Sequence, residues 1–330
     1  MKVKIYYKLR ITITDSTSHI SSAARTVYCI GETVLDIIFR NNHPIALNPG
    51  GSMLNTAVSL GRAGIHVEFI SDIVSDQAGE LIISFLEENL TGTSYINHYS
   101  SGKTTIALAF LDNQADASYS FYAVPPKEMF AGKLPVPAKN DIVLFGSFYS
   151  LSDGIHEKLK TFLTSAGQNG AMIFYDPNFR RPHLNELPRV MPRIMENISI
   201  AGIIRGSDED FLHIFAIRDP LEAYNIIKPW DDKVLIYTRS VEDISILVRN
   251  QRILVPVPGI EPVSTIGAGD AFNAGLVYSF IKMGIDREQI PLLPLTEWEK
   301  IAGYAIRFSQ NVCMSLDNYI SQDFIISLEK

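Results

Sequence analysis

The segment from Ser264 to Gly275 carries the residue types with the clearest potential for chemistry. It reads STIGAGDAFNAG, and the apolar spacing that follows predicts a helix that begins near Asp270. The first N–H groups of a helix lack intrahelical partners and carry the positive end of its dipole. The amides of Gly267, Ala268 and Gly269 can therefore hold a phosphate, or the charge that grows on a phosphoryl group during transfer.

Two roles are open to Asp270 at this position. Its carboxylate can take the proton of an attacking hydroxyl as a general base, or it can simply cap the helix. The spacing alone leaves both roles open. A dinucleotide-binding fingerprint is disfavoured, because Phe272 stands where the third glycine of Gly-x-Gly-x-x-Gly should be. An oxidoreductase of the Rossmann type therefore ranks low.

A second segment of interest reads NPGGSMLNTAVSLGRAG and contains Gly50, Gly51 and Asn55. Paired glycines reach backbone conformations that are barred to other residues. A plain tight turn before a short helix is the structural interpretation of the pair. A ligand-binding turn is the functional one.

The two segments together resemble the two signatures of the ribokinase-like (PfkB) sugar-kinase family. The family's C-terminal signature, Asp-Thr-x-Gly-Ala-Gly-Asp, is similar to the segment that ends at Asp270, with Ser264 in place of the first Asp. The resemblance implies that the amides of Gly267, Ala268 and Gly269 form an anion hole. It also implies that Asp270 is the catalytic base.

The N-terminal signature of the family, Gly-Gly-x-x-x-Asn-x-Ala, implies that Gly50, Gly51 and Asn55 bind the sugar. The segment GETVLD resembles the family strand whose acidic residue binds sugar hydroxyls, which implies the same role for Asp36. Carboxylate and amide groups suit sugars because each can hold two hydroxyls. Phe121 lies where lid aromatics of the family face the sugar, although a core role is an equal alternative.

Three further stretches fit the resemblance. YDPNFRRP resembles an Asp-Pro-Asn-x-Arg stretch and implies Asp176, Asn178 and Arg180 near the phosphates or the sugar, with Arg180 as a substrate ligand and Asp176 as a metal ligand. RGSDEDF resembles a segment that holds Mg-bound phosphate. It implies Ser207 as a nucleotide ligand and Asp210 as a metal ligand through water. First-turn acids that favour the helix dipole are the structural alternative.

The third stretch, KVLIYTRSVEDIS, resembles the family's nucleotide loop. Thr238 matches the family pattern and is implied to contact the nucleotide, together with Ser207, Gly267 and Gly269. Ser240 and Asp243 replace family glycines.

The implied reaction transfers the γ-phosphate of ATP to a primary hydroxyl of a small sugar, with Mg2+ as the metal. Fructose is the favoured acceptor, and 2-keto-3-deoxygluconate and ribose are the alternatives. A sugar-binding protein that has lost phosphoryl transfer is the alternative of another class, motivated by the changes at Ser264, Ser240 and Asp243. A homodimer is compatible with this interpretation.

The composition of the 330 residues narrows the partners. The net charge is −7 and no basic stripe is visible, which argues against a nucleic-acid partner. No apolar run approaches the ~20 residues that span a bilayer, so no membrane partner is expected. Cys29 and Cys313 have apolar neighbours, which favours buried free thiols and a cytoplasmic location. The seven histidines form no close pair at metal spacing.

The elements that must position these residues alternate regularly from Asp141 onwards. Apolar strands alternate with helices, which predicts a mainly parallel sheet covered on both faces. Ser147, Asp176, Ser207 and Thr238 each follow a strand, so we expect them at one sheet edge.

The implied fold is a three-layer α/β/α ribokinase-like domain of about nine strands with a small β-sheet lid. We predict this domain at residues 27–316, with lid strands from about 32–40 and 104–124, around the turn-like segment DNQADA. Residues 1–26 are an N-terminal extension, either unstructured or with a strand at residues 7–14, and residues 317–330 are a C-terminal tail.

Overall fold

The computed structural model describes residues 25–112, 117–126, 128–230, 233–240, 242–249 and 251–328. Residues 1–24 of the predicted extension lie outside these ranges, as do residues 113–116 of the predicted turn. The strands, in chain order, are β1 (Val27–Ile30), β2 (Val34–Arg40), β3 (His43–Gly50), β4 (Val67–Val74), β5 (Thr91–Tyr99), β6 (Lys103–Leu111), β7 (Ala117–Val124), β8 (Ile142–Gly146), β9 (Met172–Asp176), β10 (Ile203–Ser207), β11 (Val234–Arg239), β12 (Asp243–Val248) and β13 (Gln251–Pro256). The helices are α1 (Ser52–Arg62), α2 (Gln77–Glu88), α3 (His156–Gln168), α4 (Leu187–Ile200), α5 (Asp208–Phe215), α6 (Pro220–Ile227), α7 (Ala268–Lys282), α8 (Leu295–Cys313) and α9 (Phe324–Leu328).

The main sheet has nine strands in the order β13-β12-β11-β10-β9-β8-β1-β4-β5. Neighbours from β11 to β5 are parallel, and β12 and β13 are antiparallel additions at one edge. The inner strands β1, β8 and β9 are buried along their whole length, as expected for a sheet covered on both faces. One face packs against α1, α2, α7 and α8, and the other packs against α3 to α6. The predicted three-layer α/β fold is confirmed.

The small sheet has four strands in the order β3-β2-β6-β7. The sequence predicted three of them and missed β3, which pairs antiparallel with β2. Pro44 and Pro49 interrupt this segment, and proline removes a ladder donor, so the pattern did not suggest a strand. Since β3 is an edge strand, it tolerates both prolines.

The boundary between α4 and β10 lies within the segment SIAGIIRGS, which begins at Ser199. The first two residues of that segment complete α4, and β10 begins at Ile203. Pro192 lies inside α4, where its ring fixes a helical φ but removes one intrahelical hydrogen bond and crowds the carbonyl of the preceding turn.

The residues after 316, predicted as a tail, belong to the packed domain. Tyr319, Ile320 and Phe324 are buried in the core on the face that holds α7 and α8. The C-terminal segment is therefore part of the fold, because its apolar side chains complete this core layer.

The carboxyl ends of four neighbouring strands meet at one edge of the main sheet, as predicted. Ser207 is paired in register with Thr238, and Gly146, which precedes Ser147, is paired with Asp176. Among the described residues, no helix is long and apolar enough to cross a membrane. Cys29 and Cys313 are buried free thiols, which confirms that prediction.

Candidate active site

Helix α7 begins at the edge of a cavity of about 550 Å³. Gly267 is its N-cap residue with φ 78°, and a Cβ added there would collide with the carbonyl oxygen of Asn318. Only glycine fits this left-handed, tightly packed position. Gly267, Ala268 and Gly269 all line the cavity, so the start of α7 faces it.

The three amides at the start of α7 are not equivalent. The N–H of Ala268 donates to the carbonyl of Thr265, with 3.2 Å between nitrogen and oxygen. The N–H groups of Gly267 and Gly269 have no backbone acceptor among the described residues. The sequence implied three anion-hole amides, but the structure leaves two of them open to an anion.

The Asp270 carboxylate is buried and is held by two side chains of α1 and one side chain of the loop after β9. Oδ1 accepts from Ser52 Oγ at 2.8 Å, and Oδ2 accepts from Asn55 Nδ2 at 2.8 Å. Asn178 Nδ2 adds a longer contact of 3.4 Å to Oδ1. None of these donors is a backbone amide of α7, so the geometry does not favour the helix-cap role that the sequence left open.

Burial raises the pKa of Asp270 above its ordinary value, while the Asn55 hydrogen bond, the Arg180 charge and the Ser52 hydrogen bond lower it in part. A raised pKa makes a carboxylate a stronger proton acceptor when it is ionised. The arrangement therefore provides an oriented base beside the open amides of α7.

Asp36 and the two glycines form a second part of the site. Asp36 lies on β2, is buried, and accepts from Asn318 Nδ2 at 2.8 Å. A Cβ added at Gly50 would collide with the Asp36 carboxylate, so the missing side chain makes room for it. Gly51 has φ 120° and packs against the carbonyl of Glu32, which lets the chain enter α1.

Burial raises the pKa of Asp36 to about 7, and the charge of Asp270 contributes to the rise. The hydrogen bond from Asn318 and the charge of Arg180 act in the opposite direction. Asp36 and Asp270 are thus close enough to influence each other. The structure brings together Asp36, Gly50, Asn55 and Asp270, which are far apart in sequence.

Arg205 is a site residue that the motifs did not identify. Its guanidinium donates to Asp176 Oδ2 at 3.1 Å and to Thr238 Oγ1 at 2.9 Å. A Cβ added at Gly269 would lie 3.0 Å from its Nη1, so the charge sits directly beside the start of α7. An arginine in an otherwise apolar strand is unusual, and that signal in IIRGS could have found it.

Asp176 does not reach the cavity and is not placed as a metal ligand. Its side chain is fully buried, and it accepts from Arg205, from Asn273 Nδ2 at 2.6 Å and from the N–H of Asn178 at 3.1 Å. Burial raises its pKa, and the Arg205 charge lowers it. The metal role expected for Asp176 is corrected, because these donors occupy its oxygens and it holds Arg205 in place.

Asp210 lines the cavity, but its carboxylate serves the fold. Oδ1 accepts from the N–H of Phe179 at 2.7 Å, and Oδ2 accepts from the hydroxyl of Ser207 at 2.6 Å. With Ser207 it forms a capping box at the start of α5. This geometry favours the first-turn interpretation of Asp210 over a metal-binding one.

Two neighbouring acids fit a hydrated Mg2+ better than Asp210. Asp208 and Glu209 line the same cavity, and Glu209 is exposed with no hydrogen-bond or ion-pair partner among the residues that the structure describes. Mg2+ prefers oxygen ligands and usually keeps several waters. These carboxylates have the donor chemistry that such an ion requires.

The residues that depart from the family pattern keep the local geometry. Ser264 Oγ accepts from the N–H of Ile266 at 3.2 Å, so it still braces the loop before Gly267. Ser240 has φ 37°, the left-handed conformation that a glycine would favour. Asp243 begins β12 and accepts from Arg239 Nε at 3.0 Å across the strand pair.

The lid places an aromatic side chain at the cavity. Tyr119 on β7 lines the cavity, whereas Phe121 is not among its described lining residues. Phe121 instead stacks on Tyr119, with 5.8 Å between ring centroids, and on His183, with 6.3 Å. Alternate residues of a strand share one face, so Phe121 lies on the same face of β7 as Tyr119, and its contact with the sugar stays a prediction.

Arg180 lines the cavity and interacts electrostatically with Tyr119, which lines it too. It is exposed, and we find no hydrogen-bond or ion-pair partner for its guanidinium within the described part of the chain. Its positive charge acts to lower the pKa of both Asp36 and Asp270. An available cation therefore faces both parts of the site.

The comparisons with known proteins agree with this geometry. The family model for the pfkB family carbohydrate kinases matches residues 24–291. The chain therefore belongs to the pfkB family of carbohydrate kinases, which are phosphotransferases that act on a sugar hydroxyl. This confirms the resemblance drawn from the motifs.

Relatives and solved structures carry names from the same group of enzymes. The fructokinase of Rhizobium leguminosarum bv. trifolii is 27% identical over 263 residues, which cover 77% of this chain and 79% of the relative. The fructokinase of Vibrio cholerae O395, in its form bound to fructose, ADP and calcium, has a TM-score of 0.82 at 16% identity, and the match covers 93% and 99% of the two chains. Aminoimidazole riboside kinase of Salmonella enterica has a TM-score of 0.75 at 17% identity, with 92% and 99% covered.

Proposed function

We propose that this chain transfers the γ-phosphate of ATP to a primary hydroxyl of a small sugar, with fructose as the favoured acceptor and fructose 6-phosphate as the product. The observation that carries this proposal is the setting of Asp270. Its carboxylate is held by Ser52 and Asn55 beside the open amides of Gly267 and Gly269. A base and an anion site thus lie side by side, as phosphoryl transfer requires.

In this mechanism the sugar hydroxyl lies against Asp270, which accepts its proton as the oxygen attacks phosphorus. The amides of Gly267 and Gly269 and the guanidinium of Arg205 stabilise the charge on the transferred group. Asp208 and Glu209 would hold Mg2+ through water, and the ion would neutralise phosphate charge when bound. Thr238 and Ser207 line the part of the cavity where the nucleotide would lie.

Fructose is favoured because relatives named fructokinase align over most of the chain. Asp36 and Asn55 supply the acceptors and donors that neighbouring sugar hydroxyls need. The buried free thiols of Cys29 and Cys313 suit the reducing cytoplasm, where we place the reaction.

A sugar acid such as 2-keto-3-deoxygluconate is the second candidate acceptor. The guanidinium of Arg180 at the cavity favours it, because it makes no hydrogen bond or ion pair with the described residues and arginine binds carboxylates in a bidentate manner. The alternative of a sugar-binding protein without catalysis loses support. Ser264 still braces the loop before α7, and Ser240 takes the glycine-like conformation.

A coupled ADP-release assay on the purified chain tests the proposal. It uses ATP and Mg2+ with fructose, ribose, 2-keto-3-deoxygluconate and aminoimidazole riboside. We expect the highest kcat/KM with fructose, and a preference for the sugar acid would instead support the second candidate. ADP release that no sugar in the panel increases would refute a sugar kinase activity.

A further inference from the structure

The C-terminal segment brings one polar side chain into the sugar part of the site. Asn318 is fully buried, and its Nδ2 donates to Asp36 Oδ2 at 2.8 Å across 282 positions of sequence. A Cβ added at Gly50 would lie 3.4 Å from the same nitrogen. Asn318 lies beyond residue 291, where the match to the family model ends.

The same residue also contacts the phosphate part of the site. The backbone carbonyl of Asn318 packs so closely on Gly267 that no Cβ fits there. Its side chain therefore contacts the proposed sugar ligand while its main chain contacts the start of α7. A shift of this segment would move both parts of the site together.

We propose that Asn318 is a positioning residue that orients the Asp36 carboxylate and favours its ionised, hydroxyl-accepting form for sugar binding; this rests on the proposed sugar kinase function. An amide N–H is a donor, and an ionised carboxylate is an acceptor only, so their contact stabilises the ionised form. Asn318 holds Oδ2 of Asp36, and Oδ1 accepts no hydrogen bond from the residues that the structure describes, so it can accept from a sugar hydroxyl. A fixed carboxylate also loses less conformational freedom when the sugar binds.

A packing role alone does not explain an asparagine at this position. The Oδ1 atom of Asn318 is buried and has no hydrogen-bond partner within the described part of the chain. A buried carbonyl without a partner is unfavourable, and an apolar side chain would avoid it. The hydrogen bond that Nδ2 donates to Asp36 accounts for an asparagine at this position.

The charges around Asp36 make this contact matter near neutral pH. Burial and the negative charge of Asp270 raise the pKa of Asp36, while Asn318 and the positive charge of Arg180 lower it. Tyr119 and Tyr319 also interact electrostatically with this carboxylate. Removing the amide donor takes away one of the two groups that favour ionisation, so protonation of Asp36 would occur at a higher pH.

The test compares Asn318→Ala and the cavity-filling Asn318→Leu with wild type in the full chain, with fructose as the probe. We expect the KM for fructose to rise roughly 10-fold or more, as the loss of a hydrogen bond to a charged group predicts. The KM for ATP should not change. The acid limb of the kcat/KM profile for fructose should move to higher pH.

Asn311→Ala is the matched control, because Asn311 Oδ1 accepts from the N–H of Ser321 and holds the same segment without touching Asp36. It should leave the pH profile unchanged. Active variants with a wild-type KM and pH profile would overturn the positioning role, and failure of both Asn318 variants to fold would assign a structural role instead. A wild-type chain without activity on any sugar would refute the proposed function itself.

Discussion

The side-chain amide of Asn55 on α1 donates to the carboxylate of Asp270 on α7, with 2.8 Å between Nδ2 and Oδ2. The two residues are 215 positions apart and belong to the two separate signatures found in the sequence. The hydroxyl of Thr56, the next residue, donates to the backbone carbonyl of Asp270 at 3.0 Å. The glycine-rich N-terminal signature thus orients the proposed base in addition to its proposed role in sugar binding.

This contact predicts that Asn55→Ala changes both sugar binding and turnover. The KM for sugar should rise, and the KM for ATP should stay near normal. Because the amide hydrogen bond lowers the pKa of Asp270, its loss should move the acid limb of the kcat profile to higher pH. Asn169→Ala, at the C-terminal end of α3 and far in the fold from this contact, is the control. A variant with wild-type sugar KM and pH profile would contradict the role of Asn55.

The buried pair of Arg205 and Asp176 predicts separable effects on stability and turnover. Arg205→Met leaves the Asp176 carboxylate buried without its cation, which typically costs about 3–5 kcal/mol. Adding Asp176→Asn removes the uncompensated charge and should restore part of the free energy of unfolding, measured with urea. Turnover should stay low in both variants, since the cation beside Gly269 is still missing. Recovery of turnover together with stability would show that Arg205 has only a structural role.

Because the pKa of Asp36 is raised, the difference in the free energy of unfolding between wild type and Asp36→Asn should depend on pH. The folded chain keeps a proton on Asp36 up to about pH 7, whereas an unfolded aspartate loses it near its ordinary value of 3.8. Between these two values the unfolded state binds fewer protons, so wild-type stability falls as pH rises relative to the variant. The resulting loss of unfolding free energy in wild type approaches about 1.4 kcal/mol for each unit by which the pKa of Asp36 is raised.

Urea unfolding of both proteins at pH 5 and pH 8 measures this difference. Asp36→Asn should gain stability over wild type at pH 8 and bind sugar weakly at both pH values. An equal stability difference at the two pH values would argue that Asp36 titrates normally.

We predict that the small sheet acts as a lid and closes over bound sugar. Tyr119 on β7 already lines the cavity, while its sheet neighbours Phe121 and Tyr122 remain exposed. Closure would exclude water and suppress ATP hydrolysis. Amide hydrogen exchange in β6 and β7 should slow when sugar binds, while exchange in β12 and β13 serves as the internal reference. Equal protection of β6 and β7 with and without sugar would contradict a closing lid.

Local patterns in the sequence predicted the layers, the parallel sheet and the position of Asp270, because each depends on a short periodic segment or a compact motif. They missed β3, whose prolines obscure the strand pattern, and they did not single out Tyr119, which lines the cavity from β7. They could not reveal that Asn318 reaches Asp36 or that Arg205 bridges Asp176 and Thr238. Such contacts arise only when distant segments pack, so no local spacing encodes them.

The turnover of Asp270→Asn tests the central claim most directly. Asparagine keeps the size of the side chain and can still contact Ser52 and Asn55, but it is no base. General base catalysis is typically worth ~10²–10⁴-fold, so kcat with fructose should fall by at least about 10²-fold, while fructose binding measured by calorimetry changes little. A folded variant that turns over fructose at the wild-type rate would contradict the assignment of Asp270 as the base.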